Sequence, residues 1–147
     1  MICAVDANVV VAAYRVGEAK RAESRQFLAR VLAQRAEIAC PTIFLPECAG
    51  AVARGTGGAP DARKLLRSAQ RLPRLRLVVV GVSLASRAAE IAITCRLRGA
   101  DAVYVAVAER FSATLITWDT EMLQRAPAVV PTMTPADWLA QYATQEQ

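Results

Sequence analysis

Residues 2–14 run Ile2-Cys-Ala-Val-Asp6-Ala-Asn8-Val-Val-Val-Ala-Ala-Tyr14, an apolar stretch interrupted by one charge, Asp6. No polar alternation marks a wet face, so Ile2 to Val5 predicts a strand buried on both sides, leading straight into a helix. Further along, Glu37-Ile-Ala-Cys-Pro41, Leu75 to Val80, Thr114 to Thr117 and Val129 to Thr132 have the same short apolar character. Between them lie amphipathic segments. Glu18 to Arg35 carries Ala22, Phe27, Leu28, Val31 and Leu32 as a buried stripe, Thr42 is placed to cap a helix to about Arg54, and Gly55 to Pro60 forms a turn. Asp61 is placed to cap a helix to about Leu72 and Ser83 one to Arg98. Gly99 then breaks the chain before a helix from Asp101 to Phe111, Asp119 starts a short helix to Gln124, and a last helix begins near Pro135. Buried strands alternating with amphipathic helices predict an α/β fold, a parallel sheet covered on both faces.

The 147 residues, 54% hydrophobic and 21% charged, suit one domain over 1–147, with a flexible tail at about 141–147. No apolar run approaches the ~18–20 residues needed to cross a bilayer, and the first residues lack a basic leader, so a soluble cytoplasmic protein without a membrane partner is expected. Histidine is absent, which excludes Ser-His-Asp triads, Cys-His nucleophiles and His-containing zinc sites. The cysteines at 3, 40, 48 and 95 form no C-x-x-C pair and are expected to be buried, reduced thiols. Carboxylates remain for acid-base or metal chemistry.

Four of them stand alone. Asp6 is the only charge from Met1 to Tyr14, Glu47 the only one between Glu37 and Arg54, Asp101 between Arg98 and Glu109, and Asp119 between Arg110 and Glu121. Asp6, Asp101 and Asp119 are favoured helix N-caps, and Glu47 after Pro46 suits the positive end of a helix. Caps are usually wet, however, and an ionised carboxylate in apolar surroundings is costly unless paired or bound to a cation. In an open parallel sheet the carboxyl ends of the strands share one edge, where ligands bind. Asp6 and Asp119 follow strands, while Glu47 and Asp101 lie in helices able to reach that edge. A hard divalent ion, Mg²⁺ or Mn²⁺ with oxygen ligands, resolves the repulsion among four such acids.

The segments Asp6-Ala-Asn8, Leu45-Pro-Glu47-Cys-Ala-Gly-Ala-Val-Ala-Arg54, Gly99-Ala-Asp101-Ala-Val-Tyr-Val-Ala-Val-Ala108 and Leu115-Ile-Thr117-Trp-Asp119, in this order, resemble the conserved segments of PIN-domain nucleases. The resemblance covers nearly the whole chain. It implies a single three-layer domain with a twisted parallel sheet of about five strands. It also implies a metal-dependent nuclease site formed by Asp6, Glu47, Asp101 and Asp119, holding one or two Mg²⁺ or Mn²⁺ ions and supported by Asn8 and Thr117. The compact form is similar to VapC-type toxins of toxin-antitoxin pairs, which implies an RNA substrate, a small antitoxin partner and a homodimer.

Charge agrees with a polyanionic substrate. Arg54 to Arg98 holds ten basic residues against Asp61 and Glu90, a net of +8, while the rest of the chain is net −3. Arg63, Arg67, Arg71 and Arg74 recur at helical spacing and, if the helix persists, line one face suited to a phosphate backbone, or else an ordinary solvated face. Among rival functions, a phosphoacceptor signalling domain needs a lysine at a late strand end, whereas Lys20 and Lys64 fall in predicted helices. A dinucleotide-binding module needs glycines after the first strand that Asp6-Ala-Asn8 lacks. A non-catalytic PIN-like module, a housekeeping RNA-processing enzyme and a DNA-directed nuclease also remain open.

Overall fold

The computed structural model describes residues 1–143. Within them, five parallel strands, β1 (Ile2–Val5), β2 (Glu37–Pro41), β3 (Leu75–Val78), β4 (Thr114–Ile116) and β5 (Thr132–Met133), form one sheet in the order β3-β2-β1-β4-β5. The α/β class and the parallel sheet of about five strands follow as expected. Val5, Ala39 and Leu115, from the three central strands, are fully buried, which is why these runs show no polar alternation.

The chain leaves β1 through α1 (Ala7–Tyr14) and α2 (Arg21–Ala33) to β2, then through α3 (Phe44–Ala53) and α4 (Gly58–Gln70) to β3. It returns through α5 (Val82–Cys95) and α6 (Gly99–Arg110) to β4, on the other side of β1. Right-handed crossovers running in opposite directions put the two sets of helices on opposite faces. Accordingly α6 lies against β2, β1 and β4 with α5 packed on it, while α1 contacts both α2 and α3 on the other side. After α7 (Thr120–Arg125), the last helix α8 (Pro135–Ala143) docks on α2, where Trp138 meets Phe27 edge-on at 5.1 Å and stacks on Tyr142 at 4.4 Å. Gln141 to Ala143 are therefore helical, not tail; the remainder of the expected tail, residues 144–147, lies outside the described residues.

Several boundaries differ from expectation for local reasons. Thr42 does not cap α3: its N–H donates to Val78 O at 2.9 Å, which keeps it in line with the sheet, and Ile43 flanks the helix instead. Gly58 and Pro60 belong to α4, since Gly58 takes a φ of 57° that suits glycine and proline is tolerated in a first helical turn. Asp61, Ser83 and Asp101 sit inside first turns rather than at caps. Arg96, at φ 56°, ends α5, so Gly99 opens α6 instead of breaking a helix. The N–H groups of Val129 and Val130 both bond to Ala126 O, which holds them in a 3₁₀ turn over Ala126–Ala128 and postpones the last strand to Thr132.

All four cysteines are free, with Cys3, Cys40 and Cys48 buried and Cys95 only partly so. Burial pushes the Cys3 thiol up to about 11 and the Cys48 thiol up to about 12, so both stay protonated and unreactive.

Candidate active site

Strand order reverses between β1 and β4, and the crevice at their carboxyl ends is where an open parallel sheet binds ligands. Asp6 stands at the end of β1 and Thr117 at the end of β4, and their side chains meet. Thr117 Oγ1 donates to Asp6 Oδ2 at 2.7 Å and accepts from Asn8 Nδ2 at 3.2 Å and from the Asp119 N–H at 3.0 Å. Asn8 Oδ1 in turn accepts from the Trp118 N–H at 3.2 Å. This network rivets two strands whose residues lie more than a hundred positions apart, and brings Asp6, Asn8, Thr117 and Asp119 together.

Asp6 and Asp119 are also N-caps. Asp6 accepts from the Asn8 N–H at 3.3 Å at the head of α1, and Asp119 from the Met122 N–H at 2.9 Å at the head of α7. Capping and site formation are thus not rivals, because each cap employs one carboxylate oxygen. The second oxygen of Asp6 accepts the hydrogen bond from the Thr117 hydroxyl. Asp6 is 8% exposed, much drier than an ordinary cap.

Glu47 enters from the first turn of α3, where the buried Tyr104 of α6 donates its hydroxyl to Glu47 Oε1 at 2.7 Å. Asp101 lies one turn before Tyr104 on the same helix. Burial pushes the Asp6 carboxyl up to about 7 against the hydrogen bonds from Thr117 and Asn8, and the charges of Glu47 and Asp101 raise it further. Burial likewise pushes Asp101 up to about 6, helped by Asp119 and Glu47 and opposed by Arg98. Asp6 thus feels the charges of Glu47 and Asp101, and Asp101 those of Asp119 and Glu47, although no three of the described acidic or thiol groups converge closely enough to hold an ion as they stand. Oxygen donors alone, in a half-buried anionic pocket, form the ligand set that hard divalent cations take.

A profile of the PIN domain family matches residues 3–128. The chain belongs to the PIN domain family. No curated protein matches the sequence significantly. Among solved structures, this PIN domain is similar to VapBC2 from Rickettsia felis bound to a promoter DNA fragment (TM-score 0.70, 16% identity, covering 91% of this chain and 98% of that one). It is similar too to the Mycobacterium tuberculosis VapC20, a sarcin-ricin loop cleaving toxin (0.68, 19%, 84% and 94%), and to FitAcB from Neisseria gonorrhoeae (0.68, 22%, 92% and 99%).

The PIN domain has a cleft of about 750 Å³ running from Asp6 and Glu47 between α1 and α3. Asn8, Val11, Ala12 and Arg15 form one wall; Glu47, Gly50, Ala51 and Arg54 form the other. In each wall the arginine lies seven residues beyond the polar residue, two turns or about 10 Å along the helix. Arg15 donates to Ala51 O, tying the walls together. Trp118 and Lys20 close the side of the cleft. Arg63, Arg67, Arg71 and Arg74 do not line it. Helix α4 stops at Gln70, Arg74 has a φ of 58°, and the expected single face of four arginines is lost. Arg63 faces a shallow hollow between α3 and α4, while Arg74 lies with Glu37 and Arg76 at the outer edge of the sheet. Arg15, Lys20, Tyr104 and Trp118 were not singled out from sequence, but helical periodicity counted from Asn8 reaches Arg15, as it reaches Arg54 from Glu47.

Proposed function

We propose that this PIN domain is a metal-dependent endoribonuclease and the toxin of a toxin-antitoxin pair. The observation that supports this best is a family fold in which Asp6 and Glu47 line one cleft that turns basic two helical turns away, with Asp119 tied to Thr117 beside Asp6 and Asp101 one turn from the Tyr104 that holds Glu47. Asp6, Glu47, Asp101 and Asp119 would hold one or two Mg²⁺ or Mn²⁺ ions. Such an ion, when bound, supplies positive charge to phosphodiester oxygens and acidifies water.

The chain's own residues orient these parts. Thr117 and Asn8 fix the Asp6 carboxylate, the Tyr104 hydroxyl fixes that of Glu47, and the Trp118 N–H ties the end of β4 to Asn8 at the head of α1. The guanidinium groups of Arg15 and Arg54 lie where the RNA backbone would leave the acids, and such contacts position a chain without reading its bases. The likeness to VapBC2, FitAcB and a toxin-antitoxin complex from Klebsiella pneumoniae supports a small antitoxin partner, and the proposal includes a homodimer in the cytoplasm. No described helix is long and apolar enough to cross a membrane.

The deciding experiment is RNA cleavage in Mg²⁺, Mn²⁺ or EDTA, comparing wild type with Asp101→Asn. Cleavage that needs the metal and is lost in the folded variant is the expected result; metal-independent cleavage, or full activity in Asp101→Asn, refutes the metal site. Growth arrest on expressing wild type, absent with Asp6→Asn and relieved by a neighbouring small open reading frame, tests the toxin role. Harmless expression of active enzyme would favour a housekeeping nuclease.

A further inference from the structure

Trp118 is held in an unusual way for a residue on the wall of a cleft. Its backbone N–H donates to Asn8 Oδ1 at 3.2 Å, and its indole Nε1–H donates to the Oγ of the buried Ser24 of α2 at 2.8 Å. Both ends of the residue are thus pinned, and the plane of the ring is set by α1 and α2 together. The ring is only half-buried, and it lines the acid cleft with Asp6, Asn8 and Glu47. Over its face lies the ammonium of Lys20, 4.8 Å from the ring centre, on an exposed and flexible side chain that lines the same cleft. An immobilised aromatic face one residue from Asp119, with a displaceable cation lying over it, is a surface prepared for another planar π system.

Resting on the nuclease function proposed above, we propose that Trp118 is a stacking platform for one unpaired base of single-stranded RNA, beside the phosphodiester held at the acids. The incoming base displaces the Lys20 ammonium from the ring, leaving that charge free for an adjoining phosphate. A paired base, stacked within its own helix, cannot lie on the ring, so the platform selects single strands over duplex. Stacking accepts every base through its π face, and this contact therefore positions the substrate without specifying its sequence.

Fluorescence tests this directly, because the chain has two tryptophans and the other, Trp138, is buried against Phe27. The full-length, cleavage-deficient Asp101→Asn protein is titrated with single-stranded hexaadenylate RNA and with the same hexamer made of abasic riboses. Hexaadenylate is expected to quench the emission saturably and the abasic hexamer to leave it unchanged. Trp118→Phe should abolish the quenching. Trp118→Ala should weaken hexaadenylate binding about tenfold and leave abasic binding unaltered. Binding of hexaadenylate without quenching, equal quenching by both hexamers, no binding, or full affinity in Trp118→Ala each overturns the platform. If Trp118→Ala loses its thermal transition, the comparison of the two hexamers on the Trp118 protein decides alone. Wild-type RNA cleavage is scored separately: cleavage without quenching removes the platform and keeps the nuclease, whereas base-dependent quenching without cleavage does the reverse.

Discussion

Tyr104 donates its hydroxyl to Glu47 at 2.7 Å, joining the buried helix α6 to the first turn of α3. The bond fixes one carboxylate oxygen and leaves the other for the cleft. Burial first, and then the bond to Glu47, hold the Tyr104 phenol well above its ordinary range, so it stays a donor at any working pH. Tyr104→Phe removes that donor without changing the packing volume. RNA cleavage should fall about tenfold, with a stability loss of about 1–2 kcal/mol by denaturant unfolding. Unchanged cleavage would mean that Glu47 needs no orienting partner.

Neutral replacements of the acids should leave the fold intact and disable the chemistry. Asp6→Asn retains an oxygen for the α1 cap and turns its amide group to Thr117, and Glu47→Gln retains an oxygen for Tyr104. Each of these, and Asp101→Asn and Asp119→Asn, is expected to lower cleavage by at least ~10²-fold, or about 2.7 kcal/mol of transition-state stabilisation. Circular dichroism and single-turnover cleavage of a labelled RNA check both halves of the expectation.

Metal-free stability should fall as pH rises. Asp6 moves from an ordinary 3.8 up to about 7, and Asp101 from 3.8 up to about 6. The folded protein therefore binds protons more tightly than the unfolded chain between these limits, so the stabilisation is complete below about 4 and is lost as pH climbs through 6 and 7. In EDTA, the Tm difference between Asp6→Asn and wild type should grow in favour of the variant by more than about 3 °C from pH 5 to pH 8. A pH-independent difference would show that the Asp6 carboxylate is not strained by its surroundings.

Divalent ions should act in the opposite sense. Mn²⁺ or Mg²⁺ at a hundredfold excess over Kd would add about 2.7 kcal/mol by linkage. The gain should be larger at pH 8, where the acids are charged, than at pH 5. Differential scanning fluorimetry with and without EDTA measures it, and an unchanged Tm up to millimolar Mn²⁺ would count against the acids as ligands.

Two arginines on the cleft walls carry the next expectation. Replacing both Arg15 and Arg54 with glutamine, which removes both charges while keeping a donor to α3, should reduce the salt slope of single-stranded RNA binding by up to about 1–2. Arg67→Ala/Arg71→Ala should change it less, since those side chains lie outside the cleft. Filter binding across a series of salt concentrations separates the two pairs.

Much of this site was legible because isolated charges in apolar runs are costly, and Asp6, Glu47, Asp101 and Asp119 each break such a run. Strands were legible for the same reason: β1 and β2 are buried on both faces and have no alternative as amphipathic helices. Helix starts were harder. Side-chain type suggested Thr42, Asp61, Ser83 and Asp101 as caps, but Thr42 is engaged by β3, and the other three fall inside first turns. The arginine stripe failed because periodicity was extended past the end of α4, beyond which Arg74 turns away. The cleft arginines were hidden by the reverse omission: Arg15 and Arg54 obey the same period as Asn8 and Glu47, but their helices approach each other only in the folded chain. Tyr104 and Trp118 look like core aromatics in sequence, and only their hydrogen-bonding partners distinguish them.

The hydrogen bond from Thr117 to Asp6 spans 111 residues, which imposes an order on biosynthesis. A ribosome delivers Asp6 and Glu47 early, Asp101 and Asp119 late, and domains fold as units once their segments have emerged. Until β4 has left the exit tunnel and slid in beside β1, the acid cluster does not exist, and Asp6 has only its helix cap to hold it. A nascent chain therefore carries Asp6 and Glu47 without the partner strand that sets Asp6 in place, and the crevice is completed only when β4 pairs with β1.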